Sequence, residues 1–181
     1  MNYVEPIRDP NTIYNICEYL KNTNIRNYML FLTGIYTGLR ISDILSLRIK
    51  DVKDKTCIRL REQKTGKEKM IEINSVLKKA IKEYCIDKKD EEFLIRSSRR
   101  MNKAISRVMG YKILKAIGKE FNLECLGTHT MRKTFGYHFY KQTKDVVLLQ
   151  KIFNHSDPSI TLHYIGIEQE NINSVMRKFK I

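Results

Sequence analysis

Four short patterns in this chain carry groups suited to work at an anionic centre. The first is Thr37-Gly38-Leu39-Arg40-Ile41-Ser42-Asp43. The second is Gln63-Lys64-Thr65-Gly66. The third is His129-Thr130-Met131-Arg132. The fourth is Asn154-His155-Ser156, with Tyr164 nine residues beyond His155. An anionic group such as a phosphate presents several oxygens that cationic side chains can bind. Two guanidinium groups can clamp those oxygens with bidentate, charge-assisted hydrogen bonds. Arg40 and Arg132 are the candidates. His129 precedes Arg132 by three residues, so on a helix they project to neighbouring sides of one surface. An imidazole there can hydrogen-bond a phosphate oxygen or assist a proton transfer. His155 can donate a further hydrogen bond. Taken singly, each residue is ordinary: the chain has 10 Tyr and 4 His, and Lys64 has Lys67 and Lys69 as close neighbours. Lys67 is the rival of Lys64 for any role as a proton donor.

Other chemistries fail on their own patterns. Gly66-Lys67 lacks the preceding glycine of a phosphate loop and is followed by Glu68. There is no His-Glu-x-x-His. Cys17, Cys57, Cys85 and Cys125 form no Cys-x-x-Cys pair and show no ligand-like clustering with the four histidines. Neither a metal site nor a disulfide framework is expected, and free thiols suit a reducing cytoplasm. No metal or other cofactor is called for.

The elements that must hold these groups are mostly helical. Apolar periodicity predicts helices over residues 11–20, 26–37, 41–47, 75–85, 102–121, 128–142 and 145–153. Gly38 is a plausible stop for the second. Asp157-Pro158 reads as a cap and first-turn proline opening a short helix towards Tyr164. A terminal helix is expected over residues 169–179. Residues 56–61 and 69–73 alternate apolar and polar, a strand signal, and the basic segment 62–68 joins them as a hairpin. The predicted class is mainly α with a small antiparallel β-sheet, in one domain spanning 1–181, with 165–181 as a C-terminal tail helix.

The chain has 181 residues and a formal charge of +14. That favours a polyanionic partner, nucleic acid before an acidic membrane. The longest apolar run, residues 28–36, falls far short of the ~20 needed to span a bilayer. The first ten residues, with early acids and prolines, do not read as a signal peptide. Charge is unevenly spread: +3, +8 and +3 by thirds, with eight basic residues and no acid over 96–119. Ile105, Met109, Ile113, Ile117 and Phe121 form one helical row that can face a core. Lys103, Arg107, Tyr111, Lys115 and Lys119 form a second, roughly 200° away. The basic row is either a solvated helix face or a phosphate-tracking one. The missing acids favour the second.

The ordered set Arg40, Lys64, His129-x-x-Arg132, His155 and Tyr164 resembles the tyrosine recombinase (phage integrase) family over nearly the whole chain. That family carries Arg, Lys, His-x-x-Arg, His or Trp, and Tyr in this order. The resemblance implies the family's catalytic-domain fold, in a short form without the N-terminal core-binding domain. It implies a site-specific DNA recombinase that cleaves and rejoins duplex DNA, with Tyr164 as nucleophile forming a 3′-phosphotyrosyl link. Lys64, on a hairpin tip, would protonate the leaving 5′-oxygen. The family's acidic residue at the position of Asp43 supports the site, so Asp43 is expected to brace a catalytic Arg or His. Lys103, Arg107, Lys115 and Lys119 would contact the duplex.

The family works as four protomers on two DNA sites, so a homotetramer on double-stranded DNA is expected, monomeric when free. The terminal helix, with Ile172, Val175, Met176 and Phe179 on one face, docks either on its own core or on a neighbour. No membrane partner is expected. The setting would be a bacterial or phage-type cytoplasm, on the nucleoid. Two departures stand out: Lys133 follows Arg132 where many members have His, and Asn154 precedes His155 where Gly is common. The alternatives are a catalytically idle DNA-binding regulator and a type IB topoisomerase-like enzyme.

Overall fold

The computed structural model describes residues 4–99 and 101–180. The helices are α1 (Pro10–Thr23), α2 (Ile25–Thr37), α3 (Ile41–Ser46), α4 (Ser75–Tyr84), α5 (Arg107–Glu120), α6 (Thr130–Thr143), α7 (Val146–Phe153), α8 (Pro158–Ile165) and α9 (Ile167–Lys178). Between α3 and α4 runs an antiparallel hairpin of β1 (Cys57–Arg61) and β2 (Glu68–Glu72). The mainly helical class with one small sheet holds. Among the described residues, no helix is long and apolar enough to cross a membrane.

α2 is the centre of the core. Its run from Met29 to Ile35 is buried on every side. A helix apolar all round must be surrounded, and α1, α3, α4 and α6 pack against it. Each large aliphatic side chain buried this way contributes roughly 1.5–3 kcal/mol. A smaller cluster of Tyr137, Leu149, Phe153, Ile165 and Ile167 ties α6 to α7 and α8. Gly136 permits that approach: a Cβ there would lie 2.7 Å from both Phe153 and Ile165.

The expected helix over 102–121 starts later, at Arg107. Ser106 caps it, accepting from Met109 N at 3.1 Å, and the preceding segment runs extended, with isolated bridges Arg48↔Phe93 and Arg96↔Ala104. The apolar row therefore changes. Ile105 is buried from the extended segment, Met109 points outward, and Gly110, Ile113, Leu114, Ile117 and Gly118 form the inward stripe. The basic row is shortened: Arg107, Tyr111, Lys115 and Lys119 are exposed along α5, whereas Lys103, also exposed, lies in the segment before the helix and off its face. Arg100, one of the eight basic residues of 96–119, lies outside the described residues.

Candidate active site

Each signature residue sits where one element ends. Arg40 is the N-cap of α3, just after Gly38, whose φ of +62° closes α2. Glycine suits Gly38 twice over, because an added Cβ would also lie 2.5 Å from the Phe135 ring. Lys64 lies exposed in the turn between β1 and β2. His129 is the N-cap of α6, not a residue of its first turn as expected; Gly127 N and Thr130 Oγ1, 3.0 Å apart, form a turn ahead of the helix. Arg132 is in the first turn of α6. His155 follows the left-handed C-cap of α7, and Tyr164 lies in the last turn of α8.

Arg132 is almost wholly buried. Its Nη1 donates to Gly38 O at 2.5 Å and its Nη2 to Phe153 O at 2.9 Å, while its guanidinium lies 4.1 Å above the Phe153 ring. It thus joins the C-terminal ends of α2 and α7, where free carbonyls and the helix dipoles favour a cation. His129 Nδ1 lies 3.0 Å from Tyr164 Oη. The His155 ring meets the Tyr164 ring edge-on, centroids 5.3 Å apart, and His155 Nδ1 lies 3.0 Å from Thr161 Oγ1. Lys133 Nζ lies 5.1 Å from the Tyr164 ring centroid. Four of the six residues, His129, Arg132, His155 and Tyr164, are thus gathered around one phenol.

Arg40 joins this group through electrostatics and a neighbour that no motif singled out. Its Nη1 lies 3.0 Å from Oε1 of Glu62, an ion-pair distance without hydrogen-bond alignment. Glu62 is fully buried. Oε1 also faces Lys69 Nζ at 3.3 Å, and Oε2 accepts from Thr65 Oγ1 at 2.7 Å and Asn154 Nδ2 at 3.0 Å. Burial alone would raise the Glu62 pKa, but Thr65, Lys69, Arg40 and Asn154 together bring it down to about 2. Lys69 in turn donates to Ile152 O at 2.5 Å. Both residues were legible in the strand register. Glu62 continues the inward parity of Ile58 and Leu60, and Lys69 lies opposite Leu60.

Asp43 is buried, but its direct hydrogen bond goes elsewhere than expected. Its Oδ1 accepts from Gln63 N at 3.0 Å, so its hydrogen bond braces the hairpin beside Lys64, while its support of Arg132 is through charge alone. The departure at Asn154 has a physical reason. Its φ of +54° is one that glycine favours and asparagine tolerates, and its amide reaches Glu62, which glycine could not do.

The local field is strongly positive. Burial first, then Arg132, Lys133, Arg40 and Lys64, lowers the His129 pKa below 6.5. Burial, Arg132, Arg40 and Lys64 do the same at His155. Lys64 is thus felt at both rings. Burial raises the Tyr164 pKa, and Arg132 and Arg40 oppose that rise. Among the described residues, no group of three or more His, Cys, Asp or Glu could hold a metal ion.

Residues 8–171 match the sequence model of the phage integrase family. The chain belongs to that family. A family relative, the "Probable integrase/recombinase YoeC" of Bacillus subtilis, is 48% identical over 179 residues, covering 99% of this chain and 98% of YoeC. The tyrosine recombinase XerA of Pyrococcus furiosus is 27% identical over 92% of this chain, which spans 59% of that protein. The fold is shared with a crystal structure of XerA recombinase (TM-score 0.75, 18% identity, 97% of this chain and 65% of the other). It is also shared with XerH recombinase bound to its difH substrate before cleavage (TM-score 0.71, 19% identity, 93% and 54%). The phage integrase assignment agrees with the resemblance drawn from the six residues.

Proposed function

We propose that this phage integrase family member is a site-specific DNA recombinase that cuts duplex DNA through Tyr164. The observation that carries the residue assignment is the 3.0 Å approach of His129 Nδ1 to Tyr164 Oη, within a site holding Arg40 and Arg132. Arg40 and Arg132 bind the equatorial oxygens of the scissile phosphate. His129, with Nδ1 unprotonated, accepts the phenol proton as Oη attacks phosphorus. His155 donates to a phosphate oxygen. The P–O5′ bond breaks, Lys64 protonates the departing 5′-oxygen, and a 3′-phosphotyrosyl bond remains. That bond retains the energy for rejoining.

A neutral His129 is required for this step. Its pKa lies below 6.5, so the neutral ring predominates at neutral pH. Single-turnover cleavage should therefore rise with pH along a limb whose midpoint falls below 6.5, then level. A midpoint above that value would remove His129 from the acceptor role.

The exposed row on α5 supports a duplex contact. Gly110, near the start of α5, sits directly against Ile41, the residue after Arg40. From Arg107 to Lys119 the row extends about 18 Å along the helix axis, at about 1.5 Å per residue. Lys103, Arg107, Lys115 and Lys119 bind successive backbone phosphates in this reading. Replacing all four with Gln should reduce the slope of log K against log salt by about 3 to 4, because each phosphate contact contributes roughly 0.9. An unchanged slope would make this a solvated face.

Assembly on two sites as a homotetramer accords with α9. Ile172, Val175, Met176 and Phe179 are all exposed, so this face is not packed on the chain's own core. We read α9 as docking on a neighbouring protomer. In this reading the protein works on double-stranded DNA of the nucleoid, in a bacterial or phage-host cytoplasm. The test is an assay with two target sites and purified protein. Recombinant junctions support the recombinase. Binding without cleavage would support an idle regulator, and relaxation of supercoils without junctions a topoisomerase-like enzyme.

A further inference from the structure

We propose that Glu62 is a positioning residue for strand cleavage, holding Arg40, the Lys64 turn and the His155 loop in one register. The inference rests on the catalytic roles proposed above and adds a residue outside the six-residue signature.

The geometry is specific. Oε1 faces Arg40 Nη1 at 3.0 Å and Lys69 Nζ at 3.3 Å. Charge pairing at one end restrains where the guanidinium sits and leaves its other nitrogens for phosphate. Oε2 accepts from Thr65 Oγ1 and Asn154 Nδ2, the residues immediately after Lys64 and before His155. Glu62 also meets the turn through its backbone: its N–H donates to Lys67 O at 2.9 Å, and its carbonyl accepts from Gly66 N at 2.8 Å. Asp43 secures Gln63 N. Lys64 is therefore an exposed side chain on an anchored turn, with Gln63 and Thr65 fixed on either side. Lys69 carries the frame onward to Ile152 O, one residue before the carbonyl of Phe153 that holds Arg132.

A fully buried carboxylate beside a phosphate-binding guanidinium works against anion binding through charge alone. Its place here is accounted for by orientation. A misplacement of about 1 Å in a reacting group can cost about 10²-fold in rate. Removing Glu62 should therefore slow cleavage while leaving DNA affinity equal or higher. An inhibitory latch on Arg40 would have the opposite effect on cleavage.

The experiment compares two suicide substrates, one with the normal 5′-oxygen at the scissile bond and one with a 5′-bridging sulfur. A thiolate leaves without a proton, so the sulfur substrate bypasses Lys64 and any residue acting through it. Wild type, Glu62→Gln and Thr65→Val are measured for DNA binding and single-turnover cleavage. Glu62→Gln should cut the oxygen substrate about 10²-fold more slowly and be only partly rescued by sulfur, because Arg40 is also released. Thr65→Val frees only the turn, so its loss, about 10-fold, should be fully rescued. Wild-type rates for both variants on oxygen would overturn the proposal. So would faster cleavage by Glu62→Gln, or equal losses by both variants on the two substrates. If Glu62→Gln fails to fold, Thr65→Val decides alone. Failure of wild type on both substrates would overturn the recombinase reading itself and this inference with it.

Discussion

Tyr164→Phe is expected to reduce the covalent protein–DNA adduct on a nicked suicide substrate to background while DNA binding stays at the wild-type level. The substitution removes one oxygen. That oxygen is the nucleophile in the proposed reaction, and without it His129 Nδ1 loses the group it faces at 3.0 Å. The ring itself is kept, with its edge-on contacts to Phe153 and His155. The packing around α8 should therefore survive and the melting temperature change little. Gel shift and denaturing gel measure the two properties on one sample. An adduct that persists would mean another residue attacks.

Arg132→Lys is expected to have the second largest effect, and on two properties together. A lysine keeps the charge but cannot donate to Gly38 O and Phe153 O while presenting a planar fork to phosphate. Cleavage should fall by about 10²–10³-fold, the usual consequence of removing a preorganised donor from a developing anion. Stability should fall too, by about 1–3 kcal/mol, because a buried carbonyl is left without a partner. Denaturant unfolding checks the second effect and single-turnover cleavage the first. Wild-type stability with wild-type cleavage would show that Arg132 neither clamps phosphate nor joins α2 to α7.

The candidate set was legible in the sequence because chemistry constrains residue type and order more tightly than packing does. Arg40, Lys64, His129, Arg132, His155 and Tyr164 could be found in order, and five of them are gathered by α2–α3, α6 and α7–α8, with Lys64 reaching them through its charge. The helices were legible from apolar periodicity. The start of α5 was not, because Ile105 continues the helical row in sequence while an extended segment buries it in space. The frame beneath the site was harder to read. Glu62 and Lys69 look like surface charges in a basic turn, and only strand parity marks them as inward. Asp43 was read as a brace, but its direct partner, Gln63 N, lies twenty residues along the chain, a contact that local spacing cannot disclose.

The central claim is that Tyr164 attacks the scissile phosphate and that no metal or ATP is needed. The most direct measurement is to incubate wild-type protein with a suicide substrate in chelator, digest the adduct and locate the modified residue by mass spectrometry. The account predicts a 3′-phosphonucleotide on Tyr164. An adduct on any other residue, a 5′-linked nucleotide, or no adduct on a substrate that the protein binds would contradict it.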